Sequence, residues 1–261
     1  MKAIEVVRNA RMSDRFTSID YIHLLIRDFV ELHGDRRFGD DPAVIGGIGY
    51  FQGIPVTVIG VEKGKDAASR AQRHFGCPLP EGYRKATRLM KEAEKFHRPV
   101  LNFVDTAGAN ADVEAEERGQ GEAIADCILT ATGLRTPVIS LIIGEGGSGG
   151  ALALSIADRL YMLEESYLGV ISPESCSSIL FKNPGHAEEA AEELHLRAED
   201  LLEFGVVDGI FPTIKEKNQT TRIRRFMEKA VPQIEQNMRD LLSEDPEKLI
   251  AERAERYQKM P

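Results

Sequence analysis

Apolar residues recur at helical spacing at Ile19, Ile22, Leu25, Ile26, Phe29 and Leu32, with Ser18 placed to cap and Gly34 to stop, which predicts a helix across this stretch. Two β-branched runs follow, 43–50 and 54–61, joined around Gln52-Gly53; they predict two strands and a tight turn. A helical pattern over 83–96 leads into a buried strand at 99–104, a small-residue turn at 105–109 and a helix over 115–129. The same order of strand, small-residue turn and helix recurs from Pro137, where Val138-Ile139-Ser140-Leu141-Ile142-Ile143 runs into a glycine-rich turn and an Ala/Leu helix to about residue 157. Strands are predicted again at 159–163 and 167–171, Ser172-Pro173-Glu174 opens a short helix, and Glu/Ala-rich helices extend through Phe204. A strand-like 206–211 precedes a charged, amphipathic helical tail over 218–260. Repeated strand–loop–helix units indicate a layered α/β fold, in which ligands collect at strand ends.

The turn Gly144-Glu145-Gly146-Gly147-Ser148-Gly149-Gly150 is the densest chemical signal. Five glycines in seven positions bare the main chain, and the helix that follows begins with amides that have no partner inside it. Such a turn is a candidate anion or oxyanion site. It also fits two short patterns. Gly144-x-Gly146-x-x-Gly149, with Glu164 about twenty residues on, matches the fingerprint of an NAD-dependent oxidoreductase. Gly146-x-Ser148-x-Gly150 matches the nucleophile elbow of hydrolases, although only His186 and His195 lie downstream as candidate bases. The structural alternative is tight strand–helix packing, and the residues of the turn leave all three readings open.

With 261 residues and a net charge of −9, the chain supports one main domain with helical additions and argues against a nucleic-acid surface. Within it, residues 62–88 form a basic, Gly/Pro-broken stretch carrying Lys63, Lys65, Arg70, Arg73, Arg84, Lys85 and Arg88; it reads as a phosphate-attracting segment or as a solvated face. His74 within it reads as polar surface, and Glu116 and Glu117 suit the start of the helix over 115–129. Cys77, Cys127 and Cys176 are widely spaced, so neither a disulfide framework nor a metal site is expected. No run is apolar enough to span a bilayer, and a cytoplasmic location is expected.

Several segments together carry a resemblance. Phe38-Gly39-Asp40-Asp41, Gly46-Gly47-Ile48, Pro80-Glu81-Gly82-Tyr83-Arg84-Lys85-Ala86, Ala115-Glu116-Glu117-Arg118-Gly119-Gln120, the glycine turn 144–150 and Ile171-Ser172-Pro173-Glu174 resemble, in order, the motif series of the carboxyltransferase α subunits of bacterial acetyl-CoA carboxylase. The resemblance implies a crotonase-type superhelix of repeated ββα units, with an N-terminal helical segment at 1–40, a core at 41–212 and a C-terminal helical extension at 213–261. It implies carboxyl transfer from carboxybiotin, attached to a separate carrier protein, to acetyl-CoA, giving malonyl-CoA in the first committed step of fatty acid synthesis. The amides of Gly149 and Gly150 would hold the oxyanion on biotin, with Gly146, Gly147, Ser148, Gly108 and Ala109 around it. The implied partners are a zinc-ribbon β subunit in an α2β2 assembly, the biotin carboxyl carrier protein and biotin carboxylase. Lys259 is preceded by Gln258, so the Met-Lys-Met setting of a biotin-accepting lysine is lacking here.

Departures from the family pattern are local. The turn usually written Thr-Pro-Gly-Ala-Tyr-Pro-Gly is here Thr106-Ala107-Gly108-Ala109-Asn110-Ala111-Asp112, which loses two prolines and an aromatic ring and is expected to be more mobile. Ser175 stands where Gly is usual and Phe181 where Trp is common. These changes leave a catalytically weakened paralogue, acting as a binding partner, as an alternative.

Overall fold

The computed structural model describes residues 1–260; Pro261, the last residue of the expected 213–261 extension, lies outside them. After α1 (Ala3–Ala10), the helix expected from residue 18 stops early. It is α2 (Ser18–Leu25), and Thr17 rather than Ser18 is its cap, through a backbone N–H donated to Asp20 at 2.8 Å. Ser18 instead donates its hydroxyl to the Val61 carbonyl at 2.5 Å. Ile26 is already extended, and β1 (Arg27–Glu31) pairs antiparallel with β2 (Val44–Phe51) across an irregularity at Asp28, whose φ is 54°. Long-range pairing with β2 outweighs the local helical spacing of Phe29 and Leu32.

The expected hairpin is present. β2 and β3 (Ile54–Val61) pair residue for residue from Val44↔Val61 to Phe51↔Ile54, and Gln52 and Gly53 both take positive φ, as a two-residue turn of this kind requires. Two helices, α3 (Ala67–Gln72) and α4 (Pro80–Lys95), lead to β4 (Val100–Thr106). The single helix expected over 115–129 is two: α5 (Val113–Glu117) and α6 (Gln120–Gly133), broken at Gly119 with φ of 80°. Glu116 and Glu117 therefore lie at the end of a short helix and not at the N-terminus of the long one. The break lets Arg118 turn back to Glu81, with Nε 2.8 Å from Oε1.

β5 (Val138–Gly147) passes directly into α7 (Ser148–Ser155). Then come β6 (Arg159–Leu163), β7 (Tyr167–Gly169), α8 (Pro173–Leu180), α9 (Ala187–Glu193), α10 (Ala198–Glu203) and β8 (Gly209–Phe211). The chain closes with α11 (Gln219–Leu242) and α12 (Pro246–Gln258). Ser172 caps α8 as expected, accepting from the Ser175 amide at 3.1 Å.

The strands form one sheet in the order β1-β2-β3-β4-β5-β6-β8, parallel from β3 onward. The long β5 is shared: Ile139–Ile142 pair with β6, and Glu145–Gly147 pair with β7. β4 and β5 are buried on both faces, which is why they read as continuous apolar runs. Leu101, Phe103, Ile139 and Leu141 pack with Tyr21, Ile22, Phe226 and Ile234 on one side. Val100, Val104, Val138 and Ile142 pack with Tyr83, Leu89, Met90 and Leu154 on the other. Two polar residues interrupt these runs. Asn102 and Ser140 both donate to the Leu154 carbonyl, at 3.1 and 2.7 Å, and so fix the C-terminal end of α7 to the sheet.

Candidate active site

The glycine turn proves to be an abrupt joint. Gly144 to Gly147 belong to β5 itself, and Ser148, the first residue of α7, takes φ of 52°. Each glycine meets a different neighbour. A Cβ on Gly144 would strike the Asp105 carboxylate, one on Gly146 would lie 2.7 Å from the Tyr167 carbonyl oxygen, and one on Gly147 would collide with the Ala107 carbonyl. At Gly150 it would lie 2.5 Å from the Ala109 nitrogen and 2.8 Å from both the Gly108 carbonyl carbon and the Tyr83 hydroxyl. These positions are glycine because β5 and α7 press against the 106–109 turn and β7. Gly149 differs: the nearest atom to a Cβ there is Ile124 Cγ2, at 3.8 Å.

All seven residues singled out from the sequence thus meet at one junction. Gly146 and Gly147 are buried in backbone packing, Gly150 is buried against the turn that contains Gly108 and Ala109, and Ser148 and Gly149 reach the surface. The turn is tied down by short bonds. Thr106 Oγ1 both donates to the Gly108 carbonyl at 2.8 Å and accepts from its amide at 3.0 Å; the Asn110 amide donates to Pro78, and Gln120 Nε2 donates to the Pro78 and Asn110 carbonyls.

Among the described residues no side chain caps the N-terminus of α7, so its first amides are left to donate to an outside partner. The first two residues of α7 lie on a pocket of about 360 Å³ lined by Ser148, Gly149, Leu152, Leu168, Gly169, Val170, Leu194 and Leu201. Backbone donors at the rim of an apolar hollow suit a ligand with a developing negative charge on a largely hydrophobic frame. The pocket lining contains no histidine. Ser148 therefore has the backbone of a nucleophile elbow without a base in the same pocket. The dinucleotide pattern also finds no matching geometry, because Gly144 and Gly146 are strand packing positions and Glu164 pairs with Arg225 at 3.0 Å.

Beneath the joint lies a feature that local sequence patterns did not indicate. Lys63 Nζ donates to Asp105 Oδ1 at 2.8 Å and to Glu145 Oε1 at 2.6 Å; Glu145 Oε2 accepts from Arg11 Nε and the Tyr167 hydroxyl, each at 2.8 Å. Burial alone would raise the Glu145 carboxyl, but the charge of Lys63 and the hydrogen bonds from Lys63, Arg11 and Tyr167 outweigh it and hold the group at about 2. Burial would likewise lower the Lys63 ammonium, and the charges of Asp105 and Glu145 raise it instead. Because Glu145 titrates lower in the folded chain than its ordinary 4.5, it adds stability above that pH, and the contribution is lost as pH falls toward 2. Glu145→Gln should therefore melt below the parent at neutral pH, with the gap narrowing on acidification. Melting curves from pH 7 to about pH 2.5 check this, and a gap independent of pH would contradict it.

Three other cations of the 62–88 stretch also have partners within the chain. Lys65 pairs with Asp20 at 2.8 Å, Arg73 donates to the Pro42 carbonyl at 2.6 Å, and Lys85, fully buried, bonds Asp40 at 2.5 Å. Among the described residues no cluster of His, Cys, Asp or Glu is placed to hold a metal ion, and no helix is long and apolar enough to cross a membrane.

The acetyl co-enzyme A carboxylase carboxyltransferase-like family matches residues 1–261. The chain belongs to that family. It is 50% identical over 256 residues to the acetyl-coenzyme A carboxylase carboxyl transferase subunit alpha of Desulfitobacterium hafniense (strain DSM 10664 / DCB-2), covering 97% of this chain and 78% of that relative. To the protein of the same name from Shouchella clausii (strain KSM-K16) it is 48% identical over 262 residues, covering 98% and 79%. Among solved structures it is similar to transcarboxylase 12S, with a TM-score of 0.66 at 18% identity, over 84% of this chain and 42% of that one. It is also similar to the Pseudomonas malonate decarboxylase hetero-dimer, with a TM-score of 0.68 at 17% identity, over 93% and 98%. The crotonase-type fold expected from the motif series is the fold this carboxyltransferase-family chain adopts. Membership supports the carboxyltransferase reading and lends nothing to the oxidoreductase or hydrolase ones.

Proposed function

We propose that this chain is the α subunit of an acetyl-CoA carboxylase carboxyltransferase and that the joint between β5 and α7 is where it meets carboxybiotin borne on a separate carrier protein. The observation that carries the reading is the uncapped α7 N-terminus, whose first two residues lie on the 360 Å³ apolar pocket. The residues fit the group: apolar walls suit the ring and aliphatic arm, and bare amides suit a ureido oxygen that gains negative charge. Carboxybiotin, when bound, supplies the carboxyl group that converts acetyl-CoA to malonyl-CoA.

The chain's own part is electrostatic. The amides of Gly149 and Gly150 are fixed by the helix they begin, so they need no reorganisation when charge develops in front of them. Tyr83 stands behind Gly150 with its phenol pushed well above the ordinary value by burial, so it remains protonated and adds no negative charge to the joint. The joint supplies one set of such donors. The second oxyanion of the reaction, on the acetyl-CoA enolate, then falls to a zinc-ribbon β subunit in an α2β2 assembly. The biotin carboxyl carrier protein and biotin carboxylase complete the system, in the cytoplasm, at the first committed step of fatty acid synthesis.

Gly149→Val tests the reading, because a Cβ at this position meets nothing nearer than Ile124 Cγ2 at 3.8 Å, an ordinary contact that the fold can keep. In the complex reconstituted with a β subunit, malonyl-CoA-dependent carboxylation of biocytin should fall by roughly 100-fold or more, with the melting temperature unchanged. A variant that turns over like the parent would remove the joint from the reaction.

A further inference from the structure

We propose that the ionic cluster of buried Lys63, Asp105 and Glu145 with half-buried Arg11 is a positioning device that sets the spacing between the 106–109 turn and the β5–α7 joint. The inference rests on the reading of that joint as the reacting site and adds residues to it that touch no substrate.

The β4–β5 ladder is regular from Val100↔Val138 to Val104↔Ile142, and then its register shifts, so that Thr106 faces Gly146. Between those pairs β5 carries more residues than β4, and the backbone ladder cannot satisfy them all. Asp105 Oδ1 takes over the missing acceptor role, receiving the Glu145 amide at 2.8 Å. Lys63 then clamps the Asp105 and Glu145 side chains from the end of β3. Tyr167 at the start of β7 and Arg11 beyond α1 fasten the other Glu145 oxygen, and Arg11 continues to Glu174 at 2.6 Å in the first turn of α8. One network of charges and the Tyr167 hydroxyl therefore joins β3, β4, β5, β7 and α8 at Glu145, three residues before α7 begins.

Stability alone does not account for this arrangement. The side chains of Lys63, Asp105 and Glu145 are only 10%, 8% and 7% exposed, and buried ion pairs can often be replaced by well-packed apolar residues without loss. Apolar contact has no direction and fixes the distances within a register shift less closely. Charged hydrogen bonds of 2.6–2.8 Å define both distance and angle. The Asp105 carboxylate also leaves room only for glycine at 144.

The test removes one cation and one anion together, and Glu145 keeps Arg11 and Tyr167 as partners of its Oε2. In Lys63→Met/Asp105→Asn the thioether side chain keeps the bulk of the lysine stem, and the carboxamide oxygen introduced at position 105 can still accept the Glu145 amide. In the reconstituted complex the double variant should melt near the parent and keep KM for malonyl-CoA, while kcat for biocytin carboxylation falls about 10- to 100-fold. Amide hydrogen exchange should accelerate over residues 144–150 and not across the sheet. If the double variant does not fold, Tyr167→Phe removes only the hydroxyl donor to Glu145 and should lower kcat about 3- to 10-fold at unchanged KM. A folded variant with parental kcat overturns the proposal, as does a kcat loss accompanied by loosening of the whole sheet. Parental kcat here with an inactive Gly149→Val would defeat the positioning role alone; an active Gly149→Val would defeat the reading of the joint beneath it.

Discussion

Gly150→Ala should abolish measurable carboxyl transfer, a loss of at least about 100-fold, and should also destabilise the chain by about 1–3 kcal/mol. Two of the three atoms that the new methyl would meet, the Ala109 nitrogen and the Gly108 carbonyl carbon, belong to the backbone, and the third is the hydroxyl of a fully buried tyrosine. None of them is a side-chain end free to swing away. The turn cannot withdraw as a unit either, because Thr106 closes it on Gly108 and Asn110 and Gln120 hold it to Pro78. Gly108 itself has φ of 148°, a conformation that resists adjustment by other residues. The methyl must therefore push α7 away from the turn and move the donors out of register. Gly149→Ala is the control, since its methyl meets nothing nearer than 3.8 Å and should leave the melting temperature unchanged. Thermal melts with the biocytin assay on both variants check the pair, and a Gly150→Ala variant with parental melting and turnover would refute the packing argument.

The parts of this architecture that are legible in the sequence are those set by neighbours in the chain. Gln52-Gly53 supplies the positive φ values of its own turn, Ser172 caps its own helix, and the doubly buried strands carry their apolar runs continuously. The glycine turn is legible as a site because a bare backbone is itself the signal. Arg27–Glu31 is not, since an edge strand with charged residues at both ends is specified by its partner β2 and not by its own spacing. Gly119 looks tolerable within a helix, yet it takes a left-handed φ of 80° and ends the short helix there, with Arg118 bonded to Glu81, 37 residues away. Lys63 sits in the sequence among cations that read as surface, because its acids lie 42 and 82 residues further along the chain. A charge balance closed over such separations leaves no local pattern to read.

Arg253→Met should lower stability by about 3–5 kcal/mol, far more than any exposed ion pair of this chain would cost. The guanidinium is 1% exposed and bonds both Asp158 oxygens at 2.8 Å, while its remaining hydrogens reach the carbonyls of Ala131, Leu134 and Thr136 at 2.8, 2.7 and 3.1 Å. One side chain of α12 thus neutralises a buried carboxylate and satisfies carbonyls at the C-terminal end of α6. Methionine can fill the volume, but it leaves Asp158 charged and buried with the Val138 amide, at 2.7 Å, as its remaining donor. Most of the expected loss comes from that uncompensated charge, so Arg253→Met/Asp158→Asn should recover part of it. Arg253→Lys should not recover the parent, because an ammonium cannot present the planar fork that meets both oxygens and the carbonyls together. Urea midpoints for the three variants decide the matter: a Met variant within about 1 kcal/mol of the parent would show that α12 is held by apolar contact and not by this arginine, and a lysine that restores the parent fully would show that a point charge suffices without the fork.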